Sequence, residues 1–225
     1  MIEIIPAILA RDLAEFATAK EKVDGLSDWI QIDFVDGEFA GNRTVTPEDL
    51  ASEAFESDRE AHLMVNDVPA WLERLKEKGY GRIYTPVETT SDLAQTANRV
   101  RQMQAEFGLA IGLDVDIAEI ITKLEHVDRA LILGIQPGYQ GQEFHPEALQ
   151  RIQAVREKFP ELPIAADGGV NAETLPLLVA AGVTSVTVGH DLLSAGEPAA
   201  ELERLQEISE SSHITTEGRD EDQAT

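Results

Sequence analysis

Eight short apolar runs, each followed by a stretch with helical periodicity, predict a single (β/α)8 barrel of the TIM type for this 225-residue chain. Two further observations agree. The connecting segments are short, with no linker or low-complexity stretch between the repeats. Polar residues also stand where apolar runs end, at Asp33 in WIQIDFVDG and Asp167 in PIAADGGV. Barrels of this length commonly form one domain. A doubly wound open sheet is the alternative, and eight units suit it less well.

The expected strands are 2–7, 29–34, 61–65, 82–87, 109–113, 130–133, 164–166 and 185–188. The expected helices are 13–23, 47–54, 69–78, 91–106, 117–124, 146–158, 172–181 and 198–208. Pro47, Pro146 and Pro198 suit a first helical turn, and Asn171 can cap the helix after DGGV. The barrel is expected to fill residues 1–209. Residues 210–225, within SESSHITTEGRDEDQAT, are too polar to offset ordering entropy by burial. They are expected to form a mobile acidic tail, in which His213 is not a ligand.

Composition narrows the function. Hydrophobic residues make up 43% of the chain, enough for a substantial core. No run of about 18 apolar residues appears, so no membrane span is expected. The opening MIEIIPAILARDL lacks the basic start of a signal peptide and reads as the first strand. Cysteine is absent, which removes disulfides, thiol catalysis and thiolate metal sites, and suits a cytoplasmic protein. Asp plus Glu number 42 against 18 Lys plus Arg, for a net charge of −24. Such a surface repels nucleic acid and anionic membranes, and opposes an anionic substrate unless the site supplies local positive potential. The acidity is either an ordinary solvated surface or, with Arg outnumbering Lys, an adaptation to high salt.

At the carboxyl ends of barrel strands, residues far apart in sequence converge on one mouth. Asp33 is either a member of such a site or a loop carboxylate bonded to backbone amides, and Asp36 reads as the turn residue. Gln31 shares the side-chain parity of Asp33 and can face the same interior. His62 opens HLMV as either a structural hydrogen-bonding group or a site residue. Met64, two residues on, is core or an apolar wall beside a substrate. Gly168 and Gly169, Gly138 and Gly141 in PGYQGQEF, and Gly189 with His190 mark three consecutive strand-end loops. They are ordinary barrel turns or a phosphate cradle of backbone amides, which barrels often build after strands seven and eight. Two carboxylates and an imidazole at one mouth have the makings of proton transfer, with or without a metal ion.

In combination and order, IPAILARDL, WIQIDFVDGEFAGN, HLMV, PGYQGQEF, DGGVNAET and VGHDLL resemble the ribulose-phosphate 3-epimerase family over residues 4–195. The Asp-x-Lys-x-x-Asp motif of the similar-looking phosphosugar and orotidylate decarboxylases is absent. The resemblance implies reversible epimerisation at C3 of a ketose phosphate, D-ribulose 5-phosphate to D-xylulose 5-phosphate, in the cytoplasmic pentose phosphate pathway. It implies Asp33 and Asp167 as the acid–base pair and one divalent metal (Zn, Mn, Fe or Mg) held by Asp33, His62 and Asp167. It implies phosphate and substrate contacts at Met64, Gly138, Gly141, Gly168, Gly169, Gly189 and His190. A homo-oligomer, and a loop over 139–143 that covers the substrate, are implied as well.

The chain departs from the family pattern at several of these positions. The family's fourth metal ligand, a histidine, is Gln31 here, which offers only a neutral amide oxygen and is the weakest of the four candidate ligands. The family serine at the end of strand one is Ala7, and methionines that wall the sugar site are Val35 and Leu133. The closing Gly-Ser of the phosphate loop is Gly189-His190. A phosphosugar-binding or assembly homologue without catalysis is therefore the alternative, as is an epimerase for another ketose phosphate.

Overall fold

The computed structural model describes residues 2–220, with side chains described through residue 212. Eight parallel strands close into a barrel in chain order: β1 (Glu3–Ile8), β2 (Trp29–Val35), β3 (Asp58–Met64), β4 (Tyr80–Pro86), β5 (Glu106–Ile111), β6 (Arg129–Leu133), β7 (Ile164–Asp167) and β8 (Ser185–Val188). β8 pairs back onto β1, so no sheet edge is left open. The helices are α1 (Leu13–Val23), α2 (Val68–Leu75), α3 (Leu93–Gln102), α4 (Ile117–Lys123), α5 (Glu147–Lys158), α6 (Leu175–Ala181), α7 (His190–Ser194) and α8 (Pro198–Asp220). The chain is thus a single (β/α)8 barrel, as the alternation of apolar runs predicts. No helix among the described residues is long and apolar enough to cross a membrane.

Local chemistry starts these helices. The carboxylates of Asp12, Asp67, Asp92 and Asp116 each accept from backbone amides of the first turn, satisfying donors the helix cannot. Asn171 accepts from the amides of Glu173 and Thr174 in the turn that leads into α6. Strand alternation then divides the apolar residues into two layers. Ile30, Ile32 and Phe34 join Phe16, Trp71 and Leu72 in the large core beneath the helices. A smaller cluster of Tyr84, Ala110, Leu131, Leu133 and Ala165 forms separately. A Cβ at Gly108 would lie 2.2 Å from Cδ1 of Tyr84, so only glycine leaves room for that ring.

Four expectations change. Residues 47–52 form turns rather than a helix: Thr46 binds Asp49 through both its amide and its hydroxyl, and Pro47 and Leu50 are the buried residues of that stretch. The segment therefore has no apolar stripe to dock a helix. In its place α7, which periodicity did not indicate, follows β8. β3 begins at Asp58, and β5 at Glu106 after Gln104 leaves α3 with a φ of 62°. Both starts carry charged residues, which pattern alone leaves to a loop before β3 and to the end of the helix 91–106 before β5. His62 is consequently the fifth residue of β3, not its second. Finally, α8 extends beyond Ser209 to Asp220, burying Leu202 and Leu205. Residues 221–225 of the expected tail lie outside the described residues, as does the side chain of His213.

Candidate active site

Parallel register brings the mouth together. Asp33 pairs with His62 across β2 and β3, and Asp167 with Thr187 across β7 and β8. Gln31 lies two residues below Asp33 on the same face and pairs with Ala7. Nδ1 of His62 stands 3.2 Å from Oδ1 of Asp33 and 3.2 Å from Oδ2 of Asp167. Nε2 of Gln31 donates to the same two oxygens, at 2.9 Å and 3.1 Å. The hydroxyl of Thr187 donates to Oε1 of Gln31 at 3.2 Å. Asp33 is 4% exposed, His62 2% and Gln31 fully buried. Nε2 of His62 has no hydrogen-bond partner among the described residues.

Burial and charge set the protonation of this cluster. Burial raises the Asp33 carboxyl above its ordinary range, and the neighbouring Asp167 charge adds to that against the hydrogen bond from His62. Burial alone would lower the His62 imidazole, but its bonds to Asp167 and Asp33 outweigh it and push the group up to about 10. Without a metal the cluster thus favours the protonated imidazole, whereas a metal ion on His62 would need it neutral. Asp36, three residues after Asp33, shows the contrast. Burial raises it, yet amides of Phe39, Asn66 and Glu38 bind its oxygens and hold it below the ordinary carboxylate range. It is the turn residue its position suggests.

Ligand atoms of Asp33, His62 and Asp167 all lie within 4.8 Å of one another, close enough to converge on one cation. Two carboxylates and an imidazole suit a divalent metal. Gln31 meets the cluster differently: its N–H groups face the carboxylates, and the oxygen that could ligate is turned to Thr187.

Above these residues opens a cavity of about 230 Å³. Asp33, His62, Asp167 and Thr187 line it, with Met64 and Leu133 as its apolar wall. Gly138, Gly141, Gly168, Gly169, Gly189 and His190 line it as well. Every sequence-derived site residue except Gln31 therefore borders one hollow, and Gln31 is held against two that do. Val35 and Ala7 are buried and do not line it. His62 and His190 are the only basic side chains on its wall among the described residues. Gly169 has a φ of 70°, and a Cβ there would lie 2.7 Å from Cβ of Phe144, so the turn after β7 requires glycine twice over.

Some neighbours gave no sequence signal. Thr187 is an unremarked strand residue until parity aims it at Gln31. Gln140 lies over Gly189, where a Cβ would come within 2.2 Å of its Nε2. Nδ2 of Asn42 donates to the Gly138 carbonyl at 3.1 Å, tying the β2 loop to the loop after β6. A second hollow of about 250 Å³ shares His62, Met64, Leu133 and Pro137 with the first and brings in Glu88 and Asp114.

Known proteins give the same fold and a specific family. Among solved structures, 3-hexulose-6-phosphate synthase from Salmonella typhimurium superposes with a TM-score of 0.71 at 15% identity, covering 94% of this chain and 100% of that one. Phosphoribosyl anthranilate isomerase from Thermococcus kodakaraensis gives 0.65 at 13% identity, covering 92% and 98%. At such identities the likeness speaks for the barrel alone. Ribulose-phosphate 3-epimerase of Mycobacterium tuberculosis is 31% identical over 209 residues, covering 90% of this chain and 91% of that protein. A relative from Oryza sativa subsp. japonica, named as the cytoplasmic isoform of the same enzyme, is 27% identical over 217 residues, covering 93% of this chain and 95% of its own. The profile of the Ribulose-phosphate 3 epimerase family matches residues 3–193, from β1 into α7. A match of that extent, joined to relatives aligned almost end to end, means that the chain belongs to the ribulose-phosphate 3-epimerase family.

Proposed function

We propose that the chain catalyses metal-assisted epimerisation at C3 of a ketose phosphate, interconverting D-ribulose 5-phosphate and D-xylulose 5-phosphate in the cytoplasm. The observation that carries this reading is the convergence of Asp33, from the second strand, and Asp167, from the seventh, on one cavity beside His62. A divalent ion held by Asp33, His62 and Asp167 would supply Lewis-acid polarisation of the substrate oxygens, worth several kcal/mol against the weak acidity of a proton beside a ketone. The oxygen-rich donors favour manganese, magnesium or ferrous iron over zinc.

One aspartate removes the C3 proton from one face of the sugar, and the other returns a proton to the opposite face of the enediolate. Configuration then inverts without the substrate turning over. Burial of Asp33 makes it a stronger base than an exposed carboxylate. Met64 and Leu133 exclude water from the reacting carbon. Backbone amides around Gly168, Gly169, Gly138, Gly141 and Gly189, with His190, receive the phosphate. They answer the charge problem posed by an acidic protein with an anionic substrate.

A coupled assay with ribulose 5-phosphate, with Mn, Fe, Zn or Mg added in turn, tests this. Asp33→Asn and Asp167→Asn should each lower kcat by roughly 10²–10⁴-fold while phosphosugar binding persists. Equal turnover in wild type and both variants would end the two-carboxylate mechanism. A non-catalytic phosphosugar-binding role is the second reading, favoured by the Gln31 N–H groups on the acids and by Gln140 over Gly189. Saturable binding without turnover under every metal would select it. Turnover of another ketose phosphate alone would keep the chemistry and change the substrate.

A further inference from the structure

We infer that Gln31 is a positioning residue that acts on Asp33 and Asp167 as a neutral double hydrogen-bond donor, competing with the metal for their oxygens rather than ligating it. This rests on reading Asp33, His62 and Asp167 as a metal centre. A primary amide has one end with two N–H donors and one end with an acceptor oxygen. Here both N–H groups are used on the site side, at 2.9 Å to Oδ1 of Asp33 and 3.1 Å to Oδ2 of Asp167. Those are the same two oxygens that His62 meets. The opposite end is occupied too, because the Thr187 hydroxyl donates to Oε1. Turning the amide over would set its oxygen against two carboxylate oxygens in a fully buried position. That arrangement is repulsive unless a cation lies between them. Gln31 therefore draws the two acids together in the absence of metal, and a metal entering the cluster gives up or rearranges those donor contacts.

Two consequences separate this role from a ligand and from mere packing. Removing the donor should loosen the metal-free protein without weakening metal binding. Replacing it with a true ligand should tighten metal binding.

The test compares wild type with Gln31→Leu, Gln31→Glu and Gln31→His by two measurements on the full chain: melting temperature in excess chelator, and dissociation constant for Mn²⁺ alone by equilibrium dialysis. Gln31→Leu should melt several degrees lower in chelator yet bind Mn²⁺ as tightly as wild type or more tightly. Gln31→Glu places a third carboxylate in the cluster; it should melt lowest in chelator and recover most on adding Mn²⁺. Gln31→His should bind Mn²⁺ at least tenfold more tightly. A tenfold loss of Mn²⁺ affinity in Gln31→Leu would make Gln31 a ligand and overturn the inference. So would an unchanged melting temperature of Gln31→Leu in chelator. If no variant, Gln31→His included, binds Mn²⁺, the metal-centre reading fails; the melting comparison still decides whether the amide holds the acids.

Discussion

The two ends of the barrel use the same kinds of residue to opposite effect. At the mouth, Asp33 and Asp167 meet an imidazole and an amide, with no lysine or arginine on the cavity wall among the described residues. At the floor, where the strands begin, Glu3, Glu60 and Glu106 meet two arginines. Arg82 binds both oxygens of Glu3 at 2.9 Å and 3.0 Å, lies 3.4 Å from Oε2 of Glu60, and stacks 3.8 Å from the Trp29 ring centroid. Arg129 binds Glu106 at 3.1 Å and the Tyr84 hydroxyl at 3.0 Å. Fixed counter-charges at the floor lock the strand starts in place. At the mouth the counter-charge is a titratable imidazole, His62, and burial raises the proton affinity of Asp33, which suits acid–base chemistry. Conformational stability should therefore reside in the floor and proton transfer in the mouth.

The largest test of that division is Arg82→Met. It strips Glu60, which is fully buried, of its nearest cation, and breaking a buried pair from one side costs about 3–5 kcal/mol. Urea unfolding should show a loss of that size, with turnover per folded molecule nearly unchanged. A loss below about 1 kcal/mol would mean that the floor is not a lock.

A smaller effect follows from Glu60 itself. Burial raises its carboxyl to about 7, against the opposing pull of Arg82 and Arg129. Its folded-state value thus lies above the ordinary 4.5, so the folded protein holds this proton more tightly than the unfolded chain. The resulting stabilisation is complete below pH 4.5 and is lost as pH rises through 7, by on the order of 3 kcal/mol at most. Glu60→Gln should flatten the fall in stability between those values, measured as unfolding midpoint against pH. An unaltered slope would place the titration elsewhere.

The smallest effect belongs to neither end but to the surface between them. With 42 acidic against 18 basic residues, self-repulsion should be screened by salt, raising the melting temperature by about a few degrees in molar KCl. The same gain in wild type and Arg82→Met would separate this general field from the specific floor network. No gain at all would remove salt adaptation as the reason for the acidity.

Local pattern carried much of this architecture. All eight strands were legible because each buries a short apolar run, and the helices at 13–23 and 146–158 because they repeat apolar residues every turn. The two acids were legible for a different reason: they end apolar runs, and the (β/α)8 fold maps the carboxyl ends of strands to one mouth, whereas His62 read as standing near a strand start and joined them through the family resemblance. What misled the pattern was charge inside the barrel. Asp58, Arg59 and Glu60 look like loop, and Glu106 like the end of a helix, because charge at a strand start makes sense only once Arg82 and Arg129 stand beside it. The apparent helix at 47–54 failed for the converse reason, having the right first residue but no apolar face to dock.

Sequence by itself determined the repeat, the closure it implies and that Asp33 and Asp167 stand at strand ends, since these depend on burial and on residue type at recognisable positions. Only the tertiary structure decided what Gln31 does. Whether its amide presents oxygen or N–H to the site depends on Asp167 and Thr187, 136 and 156 residues away. Hydrogen bonds have direction, and that direction is set by partners that become neighbours only when the barrel closes.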